Sequence, residues 1–172
     1  LLGPSGARVT LSQVTRMDLR NCGIAVLQAC WTGWMDHSRE FPVQGFPQGL
    51  RDAGIAAVIA PMFEVADPLC PVFTSVLCRV LRFMPVGDAL AYTLKVLRVH
   101  GEALTVDIPE AASIWKERSF DSFEYRLTGD VSIRLVNGWW ERQVSRLHFY
   151  AWLWAKKRSW ANGAQRQRSI LS

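Results

Sequence analysis

The chain has 172 residues, 49% hydrophobic and 20% charged, which suits one ordinary domain with its own core and excludes a disordered chain. Its net charge of +5 is uneven: from Asp130 onward eight Lys and Arg stand against two acids, a balance of +6 against −1 for everything before. The basicity therefore belongs to the tail and says nothing about a catalytic site.

The opening "LLGPSGARVT" has no basic segment leading into an apolar one, so it does not read as a signal peptide. No uncharged apolar run approaches about 18 residues, which argues against a spanning helix. The chain starts without Met and is expected to be a fragment of something longer. Residues 8–22 read as a short strand or turn followed by a short helix or loop. "GIAVLQA" (23–29) and "IAAVIA" (55–60) are continuous apolar runs without alternation, the pattern of strands covered on both faces in a parallel sheet. Between them "QGFPQGLRDAG" (44–54) fits a short crossover helix stopping at Gly54. Together the three make a βαβ unit.

Asp67 followed by Pro68 reads as an N-cap with a first-turn proline. Leu69, Val72, Phe73, Val76, Leu77, Val80 and Leu81 then recur at helical spacing, an amphipathic helix that Met84-Pro85 ends. Val86, Ala89, Leu90, Leu94 and Leu97 predict a second helix, stopping near Gly101 and leaving His100 at its end. Asp107 and Glu110 form a capping-box-like start for a third, through Trp115. Residues 120–135 alternate Phe123, Tyr125, Leu127 and then Val131, Ile133, Leu135, strand-like on both sides of a turn at Gly129-Asp130. The tail, 139–160, carries five of the eight Trp and reads as an aromatic, basic helix. The last dozen residues are polar and expected to fray.

Four cysteines stand at Cys22, Cys30, Cys70 and Cys78. Cys70 and Cys78 fall on one predicted helix about 12 Å apart by its rise, and Cys22 and Cys30 flank an extended run. Neither pair suits a disulfide, so four thiols in a reducing, cytoplasmic setting are expected. There is no Cys/His ladder at zinc spacing and no Gly-rich phosphate loop, so neither metal nor cofactor is expected. Cys30, at the exit of the first apolar strand, is either a small packing thiol or a nucleophile. Asp67 is either a helix cap or, with Glu64, a cleft acid suited to basic groups.

The order of these segments resembles the C-terminal portion of a CHAT domain, the caspase-like peptidase domain associated with TPR repeats. The resemblance rests on the apolar strand followed by "QACWTG" (28–33), on "QGFPQGLRDAGIAAVIAPMFEVAD" (44–67), on the helix pair and on "FEYRLTGD" (123–130). It covers roughly residues 1–130. It implies an α/β, caspase-like fold with a mostly parallel sheet flanked by helices on both faces, here over residues 1–135. Residues 136–172 would add a basic Trp-rich helical tail.

The resemblance also implies a Cys-His dyad for peptide-bond hydrolysis. Cys30 falls on its nucleophile position, Thr32 and Gly33 on the step after it, Ala53-Gly54 on the helix end and Asp67 on the second acid of an Asp-Asp pair. Gln28 and Trp31 stand where the family has Ser and Glu. Phe63, Glu64, Val65, Ala66 and Asp67 stand where it has Trp-Pro-Val-Asp-Asp. The family's base is a His upstream of a segment like "LLGPSG". His37, His100 and His148 match no such position.

Two readings follow: a cysteine endopeptidase acting on protein or peptide substrates with Glu64 and Asp67 in the substrate cleft, or an inactive interaction module of the same fold. Either would sit beside an N-terminal TPR-type repeat region. The tail reads first as a helix packing on its own domain or a lost neighbour. Membrane and nucleic-acid contacts are the weaker alternatives and are not expected.

Overall fold

In the computed structural model of the chain the described residues are 10–28, 45–62, 65–118, 125–136 and 138–171, with side chains described to residue 162. They form a mixed α/β structure in two compact units. One is drawn from Leu1–Val65 and Ser122–Ile133, the other from Ala66–Asp121 and Arg134–Ser172.

The first unit holds α1 (Leu11–Val14), β1 (Ile24–Val26), α2 (Phe46–Asp52), β2 (Ala57–Pro61) and β3 (Tyr125–Gly129). A capping box starts α1: Thr10 Oγ1 accepts from the Gln13 amide, and Gln13 Oε1 accepts from the Thr10 amide at 2.8 Å. The strand order is β1-β2-β3. β1 pairs parallel with β2, placing Ile24 opposite Ala57 and Val26 opposite Ile59. β3 runs antiparallel on the other side, placing Pro61 opposite Tyr125 and Ala57 opposite Gly129. The described sheet is thus mixed, with one parallel and one antiparallel pairing.

The unbroken apolar run of β2 is explained by its central place. Ala57, Val58, Ile59 and Ala60 are all buried, and Pro61, which lacks an amide donor, comes at the strand's end. Gly54 stops α2 at φ +107, the left-handed conformation that favours glycine. Gly129 ends β3 at φ +114, where the Ala56 carbonyl approaches too closely for a Cβ.

The second unit is helical: a 3-10 turn (Asp67–Leu69), α3 (Cys70–Val80), α4 (Val86–Thr105), α5 (Pro109–Arg118) and α6 (Trp139–Leu171). All seven periodic positions from Leu69 to Leu81 are buried, as the amphipathic pattern requires. α6 closes this core with Phe149 and Leu153, both buried. The Phe149 ring lies 5.6 Å from that of Phe83 and 6.0 Å from that of Tyr92. Lys156 on α6 also pairs with Asp107. No described helix is long and apolar enough to cross a membrane.

Four expectations are corrected. Asp67 does not cap a helix. It lies inside the 3-10 turn, whose N-cap is Ala66 with no side-chain cap bond, because the turn held by the Leu69 amide on the Ala66 carbonyl begins one residue early. α4 does not stop at Gly101 but runs through it to Thr105, because the Trp115 ring of α5 seats against the glycine. His100 is therefore inside the helix.

α5 starts at Pro109, and the Asp107 carboxylate meets Lys156 instead of forming a capping box. Residues 131–135 form no strand, and Val131 and Leu135 are exposed; among the described residues no further strand lies beyond Gly129 for them to pair with. The helical backbone of α6 extends to Leu171.

Candidate active site

Parallel pairing sends β1 and β2 out of the sheet at the same edge, the carboxyl edge where α/β sheets open their crevices. The antiparallel β3 enters the sheet there. The ladder of β1 extends one residue past the strand, with the Leu27 amide donating to the Ile59 carbonyl at 2.8 Å. At the next residue the Tyr125 hydroxyl donates to Gln28 Oε1 at 2.8 Å. Tyr125 is buried, and its partner on β2 is Pro61. Gln28, Pro61 and Tyr125 thus gather three strand ends at one edge.

Cys30 follows Gln28 by two residues and Glu64 follows Pro61 by three. Both lie outside the described residues, as do Trp31, Thr32, Gly33, His37 and Phe63. The structure therefore describes the two strand exits that lead to the expected nucleophile and acid. Asp67, the other expected cleft acid, belongs to the second unit and opens its 3-10 turn.

The opposite edge carries a different arrangement. Arg51 of α2 donates to the carbonyl of Ile55 at 3.3 Å and to that of Ala56, fastening the helix to the start of β2. After Gly129 the Asp130 amide donates to the Ala56 carbonyl at 2.9 Å. The Asp130 carboxylate accepts from the Ser132 hydroxyl at 2.7 Å and amide at 2.8 Å. These bonds, hydroxyl first, hold its pKa below the ordinary carboxylate value, and Arg51 adds to the effect. The Gly-Asp step of the closing strand is thus a structural fastening at the edge away from the strand exits.

The two described histidines belong to the second unit. His100 lines a cleft of about 440 Å³ with Trp115, Lys157 and Trp160. Burial, and then the Lys157 charge, push its pKa down, against a hydrogen bond with the Val99 backbone. Among the described residues no group of three or more His, Cys, Asp or Glu is placed to hold a metal ion. Cys22, Cys70 and Cys78 carry thiols; Cys22 donates to the Ile24 carbonyl at 3.4 Å and Cys70 to the Ala66 carbonyl at 3.9 Å.

Sequence reasoning singled out Gln28 but missed its partner, Tyr125, 97 residues away. The available signal was a tyrosine on the apolar side of an alternating strand, since a buried phenol needs a partner for its hydroxyl.

Comparison with known proteins gives one family. The family model described as CHAT domain matches residues 2–137. No curated protein and no solved structure matches the chain.

Proposed function

The chain belongs to the CHAT-domain family, and from that premise we propose that it is the C-terminal portion of a caspase-like cysteine endopeptidase domain. One observation supports this above others: β1 and β2 leave the sheet side by side at its carboxyl edge, and the segment leaving β1 carries Cys30. In this reading Cys30 acts as a thiolate, attacks the carbonyl carbon of a peptide bond and forms a tetrahedral intermediate. Collapse releases the amine product and leaves an acyl-enzyme thioester, which water hydrolyses. The proton taken from the thiol goes to the leaving amine through a His upstream of Leu1. Backbone amides near Cys30 would hold the oxyanion. Glu64 and Asp67 are proposed as cleft acids selecting basic substrate residues, and a TPR-type region as the neighbour in a cytoplasmic protein.

A second reading has one observation in its favour. Gln28 stands in place of the family's Ser and is engaged by Tyr125 across the sheet edge, so the edge could be a fixed structural feature of an inactive interaction module.

Labelling with a thiol-reactive peptide probe decides between them. The endopeptidase reading expects the full-length protein to label rapidly and Cys30→Ala to lose that labelling while the other thiols react slowly. Equal labelling of both proteins removes the nucleophile assignment and leaves the interaction module.

A further inference from the structure

α6 packs on its own unit with one face only. Phe149 and Leu153 are buried, and Trp152 lies beneath the Arg79 guanidinium, whose carbon is 4.4 Å from the ring centroid. Around the helix from these, Trp140, Leu147 and Trp154 are 70%, 69% and 61% exposed. They recur every seven residues, so they fall within about 20° of one line along the helix, each about 10.5 Å from the next. Val144 and Tyr150 border the same line. This is an apolar stripe about 21 Å long on the outside of a helix whose other side is already occupied.

The stripe is framed by positive charge. The Arg158 guanidinium lies 5.2 Å from the Trp154 ring and that of Arg146 lies 5.8 Å from the Tyr150 ring. Over 139–162 the helix has five basic residues and a single acid, Glu141. Lys156 is engaged by Asp107, and an anionic occupant of the stripe would complement the two arginines beside it, Arg146 and Arg158.

A second copy of the helix would bring the same charges together. At heptad spacing the positions four beyond Trp140 and Leu147 are Val144 and Ala151, but the one beyond Trp154 is Arg158, so an apolar helical seam would break at that end. Indole rings with an apolar body and an N–H suit the headgroup level of a bilayer, and flanking arginines suit its phosphates. The geometry points to this face of α6 as a docking surface for an anionic lipid membrane, with Trp140, Leu147 and Trp154 inserted and Arg146 and Arg158 on the headgroups. The helix lies in the interface and does not cross it.

Flotation of the 172-residue chain with vesicles tests this. The chain should float with phosphatidylcholine–phosphatidylserine vesicles and stay behind with phosphatidylcholine alone, and added salt should weaken binding. Serine at Trp140, Leu147 and Trp154 together should abolish flotation while circular dichroism keeps the parent's helix content, since all three are exposed. Glutamine at Arg146 and Arg158 should weaken partitioning about 25-fold, about fivefold for each charge. No flotation with anionic vesicles overturns the proposal, as does flotation unchanged by the serine variant. Stripe-dependent binding to an acidic polypeptide such as polyglutamate, without flotation, assigns the face to a protein partner and overturns it as well.

Discussion

Gly101 shows how one missing side chain shapes the helical unit. At a mid-helix site alanine is ordinarily better than glycine by about 1 kcal/mol. Here a Cβ would meet the Trp115 ring at 1.8 Å, with two further ring atoms within 2.4 Å, so the ring or the helix must move. Overpacking of this kind costs about 1–3 kcal/mol, and the clash should outweigh the propensity gain. Gly101→Ala is therefore expected to lower the urea unfolding midpoint, and Trp115→Leu in the same chain should recover part of the loss. A more stable Gly101→Ala would mean that Trp115 has no fixed seat on α4. The glycine was visible in the sequence but its meaning was not. Near the end of a helical pattern it looks like a stop, and the tryptophan that requires it lies on the next helix.

At the level of elements, legibility followed the locality of the forces. Seven apolar residues from Leu69 to Leu81 repeat at helical spacing and all are buried, because a helix closes its own hydrogen bonds and needs only one covered face. The strand-like alternation of 131–135 carried less information. A strand exists only where another strand accepts its hydrogen bonds, and β3 ends at Gly129.

The candidate site was legible to the same degree. The exit of β1 followed from the apolar run before Cys30, but the bond from Tyr125 to Gln28 joins residues 97 apart and depends on sheet order. That bond ties β1 to β3 across the edge, although their direct strand neighbour is β2. Tyr125→Phe removes the hydroxyl and keeps the ring, and the lost bond should cost about 1 kcal/mol. In urea this should appear as a lower midpoint with an unchanged slope. A midpoint equal to the parent's would show that the hydroxyl contributes nothing to holding the strand exit.

For the whole molecule, the family match ends at residue 137, before α6 begins. The core of the helical unit does not end there, because Phe149 and Leu153 complete it. A chain cut after residue 137 should therefore lose cooperative unfolding of α3 and α4, which the parent retains, and show far-UV helix signal without a sharp urea transition. A sharp two-state transition in the shortened chain would make α6 an ornament of the unit.

The sheet, meanwhile, is interrupted in the chain. β2 ends at Pro61 and its antiparallel neighbour begins at Tyr125, with the helical unit threaded between them. During synthesis β2 leaves the ribosome with one neighbour and waits more than 60 residues for the other, several seconds at ordinary rates of elongation. Over that interval its apolar edge lacks a cover, whereas α3 and α4 can form from contacts close in sequence. The helices can thus gain order before β2 meets its antiparallel neighbour, so the sheet's completion is tied to the segment beyond α5 rather than to β2 itself.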